Sequence, residues 1–128
     1  MMKFVIGLSA LGLALSACAT ASTPMTYAAA DTAFTGWVKF SNEEFQLYAD
    51  EDQVLQPFAR PCVSGAASRD EMRQAVQDLA GRKVTITGRT AAWSAGLPGN
   101  RIAHEGSVIR NDCGGAFVIL ADDIRPAN

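Results

Sequence analysis

Apolar and polar positions alternate with a period of two in several short runs of the chain and with the helical period in one. Phe34 to Ser41 sets Phe34, Gly36, Val38 and Phe40 on one face and Thr35, Trp37, Lys39 and Ser41 on the other, the pattern of a half-buried strand. Gly36 on the inner face points to a bulge or bend. After the polar turn Asn42-Glu43-Glu44, the residues Phe45, Leu47 and Ala49 again share a face, so the two runs form a hairpin. The charged turn Asp50-Glu51-Asp52 follows, then an irregular segment through Pro57 and Pro61 and a short strand near Cys62 to Gly65. The prolines confine that region to an edge or a loop.

Ser68-Arg69-Asp70-Glu71 has the form of a capping box, with Ser68 placed to bond the free amide at Glu71 and Glu71 placed to reach back. Met72, Ala75, Val76 and Leu79 then recur at helical spacing, and Gly81 occupies the position of a helix C-terminal glycine. Lys83 to Thr90 reads as a strand with Val84 and Ile86 inward and Thr85, Thr87 and Arg89 outward, running on towards Trp93. Leu97-Pro98-Gly99-Asn100 is a turn. Two more strands are expected, Arg101 to Ile109 and Ala116 to Ile124, separated by Asn111-Asp112-Cys113-Gly114-Gly115. Phe117 to Leu120 is apolar without alternation, as in a strand buried on both faces.

The chain therefore reads as mainly β with one helix. The glycine-bearing first strand, and the helix that runs straight into Leu79-Ala80-Gly81-Arg82-Lys83-Val84-Thr85-Ile86-Thr87-Gly88-Arg89, give an order of elements that resembles the OB-fold. The resemblance implies a small five- to six-stranded barrel with its helix between the third and fourth strands. The alternative is an α+β sheet with the single helix packed on one face.

Ahead of these elements lies different material. Of the first 18 residues 13 are apolar, Lys3 supplies one positive charge, and Phe4 to Leu15 is too short for a bilayer span of about 20 residues. It reads as a secretory signal peptide. The stretch ends in Leu15-Ser16-Ala17-Cys18, which resembles the lipobox of bacterial lipoproteins. That resemblance implies cleavage before Cys18, a diacylglyceryl thioether and an N-acyl chain on Cys18, and stable anchoring by more than one chain. In lipoproteins of two-membrane bacteria Ala19, rather than Asp, after the cysteine implies export to the outer membrane; the periplasmic face is the expected one, although the motif does not itself fix the face. An ordinary cleaved signal peptide with a chance cysteine is the competing reading. Ala19 to Ala30 is rich in Ala, Thr and Ser and carries no charge, the composition of a flexible tether; the competing reading docks Tyr27 to Ala33 as a first helix or strand. The expected organisation is a leader over 1–17, a lipidated cysteine and tether over 18–32, and a globular domain over 33–128.

Without the first 18 residues, 49 of 110 positions are apolar, an ordinary globular proportion. The formal charge moves from −2 to −3 as Lys3 is lost, since 10 Lys and Arg then face 13 Asp and Glu. A net acidic chain lacks the dense basic footprint of a nucleic-acid partner. With Cys18 assigned to lipid, Cys62 and Cys113 are the remaining pair, and in an oxidising compartment two such thiols form a disulfide. The competing use, as nucleophile or metal ligand, finds no C-x-x-C, and His104 alone cannot complete a zinc set with two cysteines.

Tests for catalytic motifs fail in turn. The nucleophile elbow, Ser-x-x-Lys, the P-loop and the dinucleotide fingerprint are all absent, and His104-Glu105 lacks the second histidine of a zincin. Asp122 and Asp123 are adjacent on a strand and face opposite ways. His104 has only Glu105 beside it, directed away if the segment is extended. No cofactor or metal is expected, and the domain reads as a monomeric, non-catalytic binding module. Trp37, Tyr48, Arg89 and Trp93 all fall on outward positions beside Thr85, Thr87, Lys39 and Gln46, an aromatic and polar mixture suited to a glycan or an envelope protein. Against this, Trp37 and Trp93 could cap the barrel or pack beneath the tether. Two further readings are an inhibitor of an envelope-attacking enzyme such as lysozyme, although Ser64-Gly65 is not followed by the tyrosine of Ser-Gly-x-x-Tyr, and a small hydrolase or thiol enzyme using His104 with Cys113.

Overall fold

A computed structural model describes residues 26–57, 59–94 and 97–128. Cys18, its leader and most of the expected tether lie outside them. Strand β1 (Ala33–Ser41) buries Phe34 and Val38 and turns back into β2 (Glu44–Tyr48). The turn is Asn42-Glu43 alone, with φ of 54° and 70°, the two-residue geometry whose twist suits a hairpin. Glu44, expected in the turn, is instead the first residue of β2 and is fully buried.

β1 serves two neighbours. Its second half pairs with β2, from Trp37 opposite Tyr48 to Ser41 opposite Glu44, while its first half pairs with β4 (Lys83–Ala92), ending with Trp37 opposite Lys83. Gly36 sits at this change of partner without a bulge. A Cβ there would collide with the Tyr27 hydroxyl and the Tyr48 carbonyl, so close backbone approach is what requires glycine.

The acidic turn after β2 is a short helix, α1 (Glu51–Val54), with the Asp50 N–H donating to Gln53 Oε1 at 3.3 Å. β3 (Val63–Ala66) then leads into α2 (Arg69–Leu79). Ser68 Oγ accepts from the Glu71 N–H at 3.3 Å, as the cap requires. Glu71 does not close the box, because its Oε2 accepts from the Ile124 N–H at 2.5 Å and ties the helix to β7 (Phe117–Pro126). Met72, Ala75 and Leu79 are buried; Val76, at the border of the apolar stripe, is 47% exposed.

The five long strands close in the order β1-β2-β3-β7-β4, with β3 and β7 parallel and every other pair antiparallel. With α2 between β3 and β4, this is the OB-like barrel that the order of elements implied. Val118 to Ala121 is buried without interruption; β7 forms part of the barrel wall, α2 packs against it, and His104 reaches its Ala121 carbonyl. The segment that carries His104 corrects one expectation. Arg101 to Ile109 is not one strand but a hairpin, β5 (Ile102–His104) and β6 (Ser107–Ile109), folded at Glu105-Gly106 with φ of 48° and 87°. Ser107 Oγ donates to the Ala67 carbonyl at 2.7 Å, and Ile109 is fully buried in the main core.

The domain also begins earlier than expected. Tyr27 is 7% exposed, donates from its hydroxyl to the Thr35 carbonyl at 2.8 Å and meets the Phe34 ring edge-on at 6.0 Å. Thr90 Oγ1 donates to Ala29 O, and the Gly88 N–H to Thr32 O, so residues 27–32 are docked chain rather than tether. Burial, with the nearby Asp50 charge second, pushes the Tyr27 phenol from 10.0 up to about 12. The folded state thus holds this proton more tightly than the unfolded chain. Its stabilisation is complete below pH 10 and is lost as pH rises from 10 to about 12. Thermal unfolding across that window should show a falling midpoint, and Tyr27→Phe should flatten the fall; an equal slope in the variant would contradict this assignment.

Candidate functional site

The inward row of β1 and β2 comprises Phe34, Val38, Phe45 and Leu47, so their partners Trp37, Lys39, Ser41, Glu44, Gln46 and Tyr48 occupy the outer face. An outer face is not necessarily an exposed one. Glu44, Gln46, Tyr48 and, on β3, Ser64 are all at most 5% exposed, because two loops lie across them. One loop is 49–62, including α1. The other is 110–113, joined to the first by the disulfide between Cys62 and Cys113.

Glu44 fastens the second loop. Its Oε1 accepts from the backbone N–H groups of Arg110 and Asn111 at 2.6 and 3.1 Å, and its Oε2 from those of Asp112 and Gln46 Nε2 at 3.0 and 3.2 Å. Ser64 Oγ accepts from the Cys113 N–H at 3.0 Å. A buried carboxylate with four donors is satisfied, and so are three consecutive amides that would otherwise lose water without a partner. The outer face of β2 and β3, which in OB-folds commonly carries oligonucleotides or oligosaccharides, is here sealed by the chain itself.

What stays open is a groove of about 600 Å³ between β1 and the covering loops. Lys39 and Ser41 from β1, Gln46 and Tyr48 from β2, and Arg60 and Asp112 from the two loops line it. Lys39 Nζ donates to the Gln56 carbonyl at 3.3 Å, and an Arg60 guanidinium nitrogen to the Asp112 carbonyl at 2.8 Å. Ser41 Oγ donates to Gln46 Oε1 at 3.1 Å. Burial raises the Tyr48 phenol above its ordinary 10.0, outweighing the opposing pull of the Arg60 charge. Next to Lys39 along β1, and across from Tyr48, the partly exposed Trp37 ring lies under Lys83 Nζ, 5.2 Å from the ring centroid.

The four residues expected to form one surface therefore separate. Trp37 and Tyr48 are cross-strand neighbours, but Tyr48 is 3% exposed and packs on the disulfide; its outward direction is as expected and its exposure is not. Arg89 is exposed but lies six residues beyond Lys83 on β4, about 20 Å away at about 3.3 Å per residue. Trp93 packs against the main core with its N–H donating to the Ala116 carbonyl at 2.9 Å, so neither belongs with Trp37. Arg60 and Asp112 were not singled out by sequence; their closeness to Cys62 and Cys113 was the available signal.

The thiol reading is overturned, since the Cys113 sulfur is in the disulfide. His104 Nε2 lies 3.0 Å from the Ala121 carbonyl and 3.2 Å from Glu105 Oε2. The positive φ of Glu105 returns its side chain to the histidine, against the expectation for an extended segment. Among the described residues no group of three or more His, Cys, Asp or Glu is placed to hold a metal ion. No family model matches the chain, and no curated protein or solved structure matches it.

Proposed function

We propose that the protein is a lipid-anchored cell-envelope protein, held in the outer membrane through Cys18 and facing the periplasm, whose OB-like barrel is a non-catalytic binding module. The observation that carries the binding reading is the open groove lined by Tyr48, Lys39 and Arg60, with Trp37 paired across the strands from Tyr48. It combines apolar ring surface with a few fixed polar groups, the composition of a ligand site. Support for the envelope comes from the lipobox-like Leu15-Ser16-Ala17-Cys18 and from a disulfide, which persists in oxidising compartments.

Cells expressing the full chain test both parts. Wild type should incorporate a radioactive fatty acid and fractionate with the outer membrane, and Cys18→Ala should do neither. In pull-downs from envelope extract, Trp37→Ala should lose most of the material that wild type retains. Equal recovery by the two proteins would remove this face as the binding surface.

A further inference from the structure

We infer that the groove is a carboxylate site, in which Lys39 and Arg60 supply charge and the Tyr48 hydroxyl donates a hydrogen bond to one carboxylate group of a small polar solute. The inference rests on the groove being a ligand site, as proposed above. Among the described residues Lys39 and Arg60, like Arg82, are each bonded to a neutral carbonyl and meet no carboxylate; what sets the pair apart is that both line one groove. Arg60 spends one nitrogen on that bond, and a guanidinium has five N–H donors in a fork that matches a carboxylate.

Tyr48 lines the same groove, with its ring packed on the disulfide. Its hydroxyl makes no hydrogen bond to a described residue and is not one of the enclosed polar atoms, so a ligand oxygen in the groove can take the place of water there. Because burial keeps this phenol protonated well into the alkaline range, it offers an O–H and not a second negative charge.

The charge count decides the class of anion. Two cations face one lining carboxylate, Asp112, whose Oδ2 is 3.5 Å from Asn42 Nδ2. The groove is thus formally +1 within a chain of −2. A single carboxylate balances it; a phosphate dianion would overshoot. Sugar acids and acidic or C-terminal peptides both carry this group, and the choice between them is left to the experiment.

Isothermal titration of the full-length protein in detergent would use glucuronate and N-acetylglycine, with glucose, N-acetylglycinamide and inorganic phosphate as counterparts. At least one of the two carboxylates should bind about tenfold more tightly than its neutral counterpart and than phosphate. The better of the two identifies the sugar or peptide source. Lys39→Gln and Tyr48→Phe should each weaken that binding by about tenfold while melting temperature is retained. Neutral counterparts binding as tightly as the carboxylates, with loss in Trp37→Ala, would overturn the carboxylate assignment and leave the binding module standing. Preferred binding of phosphate, or carboxylate binding indifferent to both variants, would also overturn the assignment. No binding by any of these compounds, with Trp37→Ala recovering the same envelope material as wild type, would overturn both readings.

Discussion

Glu44→Ala should cost about 3–5 kcal/mol of folding stability, as much as truncating a buried core phenylalanine. The reason is what the carboxylate leaves behind. Glu44 is fully buried, and its removal strips acceptors from the amides of Arg110, Asn111 and Asp112 and from Gln46 Nε2. Each buried donor left unpaired costs about 1–3 kcal/mol, reduced where the loop relaxes enough to admit water. Since domains of this size are stable by about 5–15 kcal/mol, the variant should melt far below wild type. Glu44→Gln keeps the shape but replaces one acceptor oxygen with a donor amide that faces another donor, and should fall between the two. Urea unfolding of the full chain followed by circular dichroism measures all three. A Glu44→Ala midpoint equivalent to a loss below about 1 kcal/mol would show that the loop is held by other contacts.

Glu44 also shows where the sequence was legible and where it was not. Alternation in Phe34 to Ser41 and Phe45 to Asp50 assigned Phe34, Val38, Phe45 and Leu47 inward correctly, since the period of a strand alone determines which side chains share a face. Ala49 falls past the end of β2 and is only half-buried. The same alternation is silent on what covers the opposite face. Tyr48 and Gln46 point outward and are buried by loops that arrive from residues 49–62 and 110–113. Glu44 lies in a run of polar residues, and three of its four partners are more than sixty positions away. No local pattern records a bond of that separation. α2 was legible because its cap, its stripe and its terminal glycine are all local features. The hairpin β5–β6 was not, because three residues per strand are too few to show a period and Glu105 adopts a positive φ that glutamate seldom takes. For residues 27–32 composition favoured a tether over the competing docked reading, yet one aromatic anchor, Tyr27, is enough to dock such a segment.

Reduction of Cys62–Cys113, or its replacement by Cys62→Ser with Cys113→Ser, should cost about 4 kcal/mol by the chain-entropy account of a loop this long, the cysteines being 51 positions apart. The bond acts on the unfolded chain by restricting it, and on the folded chain by joining the two loops that cover the outer face of β2 and β3. Arg60 and Asp112 lie within two residues of the cysteines, with an Arg60 nitrogen bonded to the Asp112 carbonyl. Loss of the bond should therefore loosen the groove as well as the fold. The disulfide and Glu44 hold the same segment, so their effects should not add. Once residues 110–113 are free of the disulfide, part of what Glu44 contributed is already lost, and Glu44→Gln should cost less in the Cys62→Ser, Cys113→Ser background than in wild type. Residues in one network couple by about 0.5–3 kcal/mol, which a double-mutant cycle on urea midpoints resolves. Strict additivity would mean that the two devices stabilise the barrel independently, and an unchanged midpoint on reduction would mean that Glu44 and Ser64 hold the loop without the covalent bond.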